Sequence, residues 1–182
     1  MLKPPNGQER QKILENIASI HQTLTLLVGI DDYFSVAYLA NTLGTVWETH
    51  EYLNEGIGYV SLVLNSAVVR SLPPTLLARL NLIHGNLARH QAKYATASSH
   101  YQAGLSQARD DGLTATKILS GMGEIAFRQG QYQTALDYYD QHLAINQQMS
   151  LATGVADAYN ALGRLATVRG NLTEAREYHE LG

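Results

Sequence analysis

Apolar residues recur at intervals of three and four along almost the whole chain. Residues 13–28 carry them at Ile13, Leu14, Ile17, Ile20, Leu24, Leu27 and Val28, one stripe of a helix. From residue 33 onward the same period returns in paired segments. It predicts helices over 33–50 and 52–70, 76–91 and 93–109, 113–129 and 131–149, and 151–169 and 171–181. No stretch alternates with a period of two, so the predicted class is all-α. Breaks fall where the chemistry demands them. Asn6 is placed to cap the first helix, Gly29 with Asp31-Asp32 ends it, Pro73-Pro74 stops the third segment before a cap at Thr75, and Asp110-Asp111-Gly112 makes the next turn.

The paired segments are copies of one another. Gly44, Gly85, Gly123 and Gly163 stand at intervals near forty residues, each followed three places on by Trp47, Ala88, Ala126 or Ala166. The second helix of each pair carries a small residue (Gly56, Ala97, Ala135, Ala175) and four places later Val60, Tyr101, Tyr139 or His179. A glycine inside a helix costs roughly 1 kcal/mol against alanine, so the four framing glycines forfeit about 4 kcal/mol. Close approach of the partner helix is the compensation expected, because a side chain there would overpack the seam by roughly 1 to 3 kcal/mol.

This pattern resembles the tetratricopeptide repeat, a helix-turn-helix unit. The last copy shows it best, in Tyr159, Leu162-Gly163, Ala166, Gly170, Ala175 and His179, with Leu119, Met122-Gly123, Ala126, Gly130, Ala135 and Tyr139 before it. Two copies depart from it: His84 replaces the leucine beside Gly85, and Ala92 and Glu51 stand where a turn glycine belongs. The resemblance implies a right-handed α-α superhelix of about four helix pairs behind a leading N-terminal helix. The expected layout is a leading segment and helix over 1–30 and a repeat array over 31–182, with repeats near 33–70, 75–109, 113–149 and 151–182. Because the last helix is short and no polar capping helix follows it, a segment of a longer chain is expected.

Composition narrows the function classes. The 182 residues are 45% hydrophobic, enough for a sizeable core. A net charge of -3 offers no basic excess for a phosphate backbone, so no nucleic-acid partner is expected. The absence of cysteine removes disulfides and thiolate chemistry, and no apolar run reaches the roughly 18 residues of a membrane span. The expected location is the cytoplasm, with no membrane partner.

Candidate chemistry is thin. Gly121, Gly123 and Ala126 spell a dinucleotide fingerprint, but it lies inside a predicted helix and no strand feeds it, so no cofactor is expected. The seven histidines form no His-Glu-x-x-His motif, and His142 and His179 fall on helix faces that pack within the array; no metal and no catalytic residue is predicted. Asp31-Asp32 and Asp110-Asp111 sit at helix starts, where the helix dipole favours carboxylates.

The concave face is the better candidate. In arrays of this family the first helices line it, and the matching places here hold Tyr38, Asn41, Thr45 and Glu48, then Arg79, Leu82, Asn86, Arg89 and His90. The third and fourth units add Lys117, Ser120, Glu124, Phe127 and Arg128, then Asp157, Asn160 and Arg164. Asn41, Arg79, Asn86, Arg89, Lys117, Arg128, Asn160 and Arg164 are the predicted groove residues. Their basic excess suits an acidic or carboxylate-ended peptide, and the asparagines suit an extended backbone. The expected function is a non-enzymatic protein- or peptide-binding module. The alternative is a structural scaffold that self-associates, as a homodimer through exposed repeat ends. Residues 17–64 with the Leu72-Pro73-Pro74 break also look like the repeat region behind the ATPase core of STAND-type and LuxR-type bacterial regulators, which implies a sensor segment in a signalling or transcription regulator.

Overall fold

The computed structural model describes the backbone of residues 7–49 and 52–182, with the side chains of residue 16 and of residues 18–48 and 52–182. The Asn6 cap, the apolar side chains of Ile13, Leu14 and Ile17, and Glu51 lie outside the described residues.

The described residues are all-α. A leading helix α1 (Gly7–Gly29) precedes four helix pairs: α2 (Tyr33–Thr49) with α3 (Leu53–Asn65), α4 (Pro74–His90) with α5 (Tyr94–Gln107), α6 (Gly112–Arg128) with α7 (Tyr132–Gln148), and α8 (Ala152–Val168) with α9 (Leu172–Leu181). Each helix packs on its sequence neighbour, and α4 also touches α2 and α6, so the first helices of the first three pairs form an inner row, which α8 meets through the Arg164–Glu124 ion pair.

The starts and stops follow from short-range chemistry. Asp32 caps α2 by accepting from the Ser35 amide (3.1 Å) and hydroxyl (2.6 Å), and Asp111 caps α6 through Thr114 in the same way (3.1 and 2.8 Å). The turns inside the last three pairs share one geometry. Lys93, Gln131 and Asn171 each donate a backbone N–H to a carbonyl five residues back, at 2.9 Å, across a residue with positive φ. That residue is Gly130 (φ 72) and Gly170 (φ 81), but Ala92 (φ 56) in the second pair. Ala92 therefore takes the left-handed conformation without glycine's freedom.

Two boundaries differ from expectation. The segment expected to run helically to residue 70 stops at Asn65, because Ser66 turns extended (φ -84, ψ 162) and its Oγ donates to the Val63 carbonyl at 2.7 Å. A short 3-10 helix, Ala67–Ser71, follows, and Leu72 is drawn into the core. Thr75 does not cap α4. Pro74 occupies its first position, where a missing N–H costs nothing, and the Pro73 carbonyl receives the Leu76 and Leu77 amides.

The framing glycines receive rings. A Cβ at Gly85, Gly123 or Gly163 would fall within 3.0 Å of Tyr101, Tyr139 or His179 respectively, each sixteen residues further on in the second helix of the same pair. The expected compensation for helix glycine thus takes the form of a buried ring in the notch rather than a bare backbone contact. Gly44 is filled from the next unit, by Ile83. Gly121 also abuts the Tyr101 ring, which accounts for both glycines of the apparent dinucleotide fingerprint. Tyr101 and Tyr139 are fully buried, and successive core clusters follow these rings along the array.

Candidate binding groove

The inner row of first helices carries two adjoining pockets. One, of about 390 Å³, is bordered by Arg89, Lys117, Ser120, Asp157 and Arg164, with the imidazole of His142 in its wall. The other, of about 450 Å³, lies toward α2 and includes Asn41, Glu48, Arg79, Leu82 and Leu113. Asn86 and Lys117 border both. Of the predicted groove residues, Asn86, Arg89, Lys117 and Arg164 meet in the first pocket, and Asn41 and Arg79 join Asn86 and Lys117 in the second. Arg128 and Asn160 border neither; both are exposed, and Asn160 lies beside Gly182.

Much of the expected basic excess is neutralised inside the protein. Arg79 Nε donates to Asp111 Oδ2 at 2.9 Å. Burial raises the Asp111 carboxyl, but the Thr114 hydrogen bonds and Arg79 outweigh it and hold the carboxyl below the usual range. Glu124 takes both Arg128 Nε (2.7 Å) and Arg164 Nη2 (3.0 Å), and Arg164 also lies over the Phe127 ring at 5.6 Å. Asn86 is committed at both ends of its amide: Nδ2 donates to Glu48 Oε1 at 2.9 Å, and Oδ1 accepts from the Tyr101 hydroxyl at 2.7 Å. These two bonds fix the amide's orientation and leave it one N–H and one lone pair for a further partner. Arg89 donates to the same hydroxyl at 3.3 Å and has no carboxylate partner. Burial raises the Tyr101 hydroxyl, and the nearby Arg89 charge partly offsets that.

Among the described residues, the side chains of Lys117, Ser120 and Asp157 make no hydrogen bond or ion pair. Lys117 and Asp157 occupy equivalent places, six residues before Gly123 and Gly163. The inner face thus offers an unpaired cation and an unpaired anion on neighbouring helices.

His142 is the residue that sequence reasoning set aside. It lies on α7, is 5% exposed, and reaches between α6 and α8. Its Nδ1 is 2.9 Å from the Thr116 carbonyl and 2.5 Å from Thr116 Oγ1. A carbonyl only accepts, so the ring proton sits on Nδ1. Asn146 Nδ2 completes the cluster by donating to Thr116 Oγ1 (2.6 Å) and to the His142 carbonyl (2.7 Å). His142 Nε2 is left as a buried lone pair with no partner. Burial lowers the pKa of this imidazole, partly countered by the Thr116 carbonyl and the Asp157 charge. A sequence signal did exist: Thr116, His142 and Asn146 replace Ala78, Gly104 and Ala108 of the preceding unit.

Histidine chemistry also appears on the far side of α4. His84 and His100 stack with ring centroids 3.7 Å apart, His84 Nε2 bonds Ser61 Oγ at 3.0 Å, and His100 Nδ1 bonds Asn81 Oδ1 at 2.9 Å. Burial and the neighbouring His100 lower His84 to about 4. Among the described residues no group of three or more His, Asp or Glu side chains is placed to hold a metal, and no helix is long and apolar enough to cross a membrane.

Paired helices framed by ring-filled glycines, with polar groups along the inner row, define a helical-repeat array. Residues 113–181 match the family model described as Tetratricopeptide repeat. The chain is similar to Protein FLUORESCENT IN BLUE LIGHT, chloroplastic, of Arabidopsis thaliana, 32% identical over 76 residues (42% of this chain, 24% of that protein). It is also similar to the Photosystem I assembly protein Ycf3 of Synechococcus elongatus, 31% identical over 97 residues (53% of this chain, 56% of that protein). The chain thus spans about a quarter and just over half the length of these two relatives. In three dimensions it resembles BtubC (BKLC) from P. vanneervenii, with a TM-score of 0.73 at 20% identity, covering 97% of this chain and 72% of that one; this likeness concerns the fold.

Proposed function

We propose that the chain is a non-enzymatic binding module whose inner face holds a segment of a partner protein. The observation that carries this reading is the continuity of the two pockets through Asn86 and Lys117, with Lys117 at their junction and Arg89 in the first pocket both free of carboxylate partners. Two such cations suit an acidic or carboxylate-ended segment. The similarity to an assembly protein fits a module that holds partners together. Cytoplasmic placement within a bacterial signalling or transcription regulator extends the proposal and rests on the resemblance of residues 17–64 alone.

Selection of peptides from a displayed library on the immobilised chain tests the reading. Selected peptides should lose at least about tenfold in affinity with Arg89→Ala and Lys117→Ala combined. Arg128→Ala, outside both pockets, should change affinity less than about twofold. Binding indifferent to the double change would move the site off the inner face. Self-association is the second reading, favoured by apolar exposure at the repeat ends, with Ile30 74% and Leu172 70% exposed. Sedimentation at rising concentration distinguishes it by a mass that climbs to a dimer.

A further inference from the structure

We propose that the pocket walled by His142 is a site for a small zwitterion, an α-amino acid with free ammonium and carboxylate groups. This goes beyond the partner-segment reading and does not depend on it. Two features fit no single-charge ligand. Lys117 and Arg89 border the pocket without carboxylate partners and call for an acceptor. Asp157 borders it without a cation and calls for a donor.

A ligand with a carboxylate alone would satisfy Lys117 and Arg89 but meet repulsion from Asp157. An ammonium alone would meet the reverse. A zwitterion answers both ends: its carboxylate turns to Lys117 and Arg89, and its ammonium to Asp157. Lys117 and Asp157 hold equivalent places on α6 and α8, and their side chains form no ion pair with each other. A pocket of about 390 Å³ lies within the range of small-molecule sites.

Imidazole ¹⁵N resonances and calorimetry on the whole chain, titrated with free glycine, leucine or glutamine to about 10 mM, provide the test. At least one of these is expected to bind and to shift the ring resonances of His142, which lines the pocket. N-acetyl-leucine and leucinamide, each lacking one charge, should bind about tenfold or more weakly than leucine if leucine is the ligand, with the corresponding blocked forms used for the others. Lys117→Met and Asp157→Asn should each weaken binding about tenfold or more while leaving the thermal midpoint in place, because both side chains are exposed and unpaired. The proposal is overturned if none of the three amino acids moves the resonance, or if a blocked form binds as well as the free one. Peptide affinity in the same preparation separates the two readings. Peptide binding without amino-acid binding overturns the zwitterion and leaves the segment reading standing; the converse does the opposite.

Discussion

The second and third helix pairs are built on one frame and filled differently. In the second, Ala78, Gly104 and Ala108 meet at the base of the inner helix, and Gly104 packs close to the Ala78 carbonyl. In the third, the same three places hold Thr116, His142 and Asn146, joined by hydrogen bonds and buried. The polar chemistry of the second pair lies elsewhere, in the stacked His84 and His100, where the third has Met122 and Tyr138. The frame fixes where a side chain stands; the filling decides which side of the array carries chemistry. In the third pair the filling reaches the inner face, and the pocket forms there.

The frame itself should be the least tolerant feature. Gly123→Leu and Gly163→Leu drive a side chain into the Tyr139 and His179 rings and are expected to cost about 3 kcal/mol each. In a chain of this size that lowers the thermal midpoint by roughly 6 to 12 °C. Gly58→Ala, with open space around the new Cβ, should leave the midpoint unchanged or raise it. Equal effects at Gly58 and Gly123 would dissolve the frame.

The filling comes next. Thr116→Ala removes the buried hydroxyl that meets His142 Nδ1 and accepts from Asn146 Nδ2, leaving the backbone carbonyls as their remaining acceptors, and should cost about 2 kcal/mol in denaturant unfolding. Copying the second pair in full, with Thr116→Ala, His142→Gly and Asn146→Ala together, removes every member of the cluster. Stability should then return to within about 1 kcal/mol of the parent, the residual being the helix cost of glycine. A triple variant weaker than Thr116→Ala would mean that the two fillings are not interchangeable.

Acid should act on the second pair more than on the third. His84 is lowered from 6.5 to about 4 in the folded chain, so unfolding takes up its proton first. The penalty is absent above pH 6.5 and grows as pH falls toward 4, reaching about 2 kcal/mol at pH 5. His100 and His142, also lowered, act in the same direction. Combining His84→Met and His100→Tyr, the residues of the third pair, should flatten the stability profile between pH 7 and 5. A profile unchanged by that exchange would separate the histidine stack from the acid response. The smallest effect belongs to the turns. Ala92→Gly should stabilise by about 0.5 kcal/mol, as relief of the left-handed strain slightly exceeds the added freedom of the unfolded chain, while Gly130→Ala should destabilise by about 1 kcal/mol.

The fold was legible because it is written in spacing. A glycine recurring near every forty residues, with a ring sixteen later in the last three units, is a packing instruction that needs no ligand to interpret. The exceptions arose where a local bond or a backbone preference overrode the period, as at Ser66 and Pro74. The groove was legible as a row of positions but not as a chemistry. Arg79 and Arg164 look unpaired in sequence, yet both are paired, because Asp111 and Glu124 come within their reach only when the helices stack, while Arg128 pairs with Glu124 one turn back on its own helix. His142 was hidden for the opposite reason: a histidine on a packed face looks inert until the position of its second nitrogen is known.

Backbone amide chemical-shift mapping of the chain with a bound ligand, a selected peptide or a free amino acid, tests the central claim most directly. Perturbations concentrated on α4, α6 and α8 around Lys117, Ser120 and Asp157, with His142 the affected residue of α7, are the result predicted. Perturbations confined to α5 and α7 away from His142 would place binding on the outer face and contradict the account.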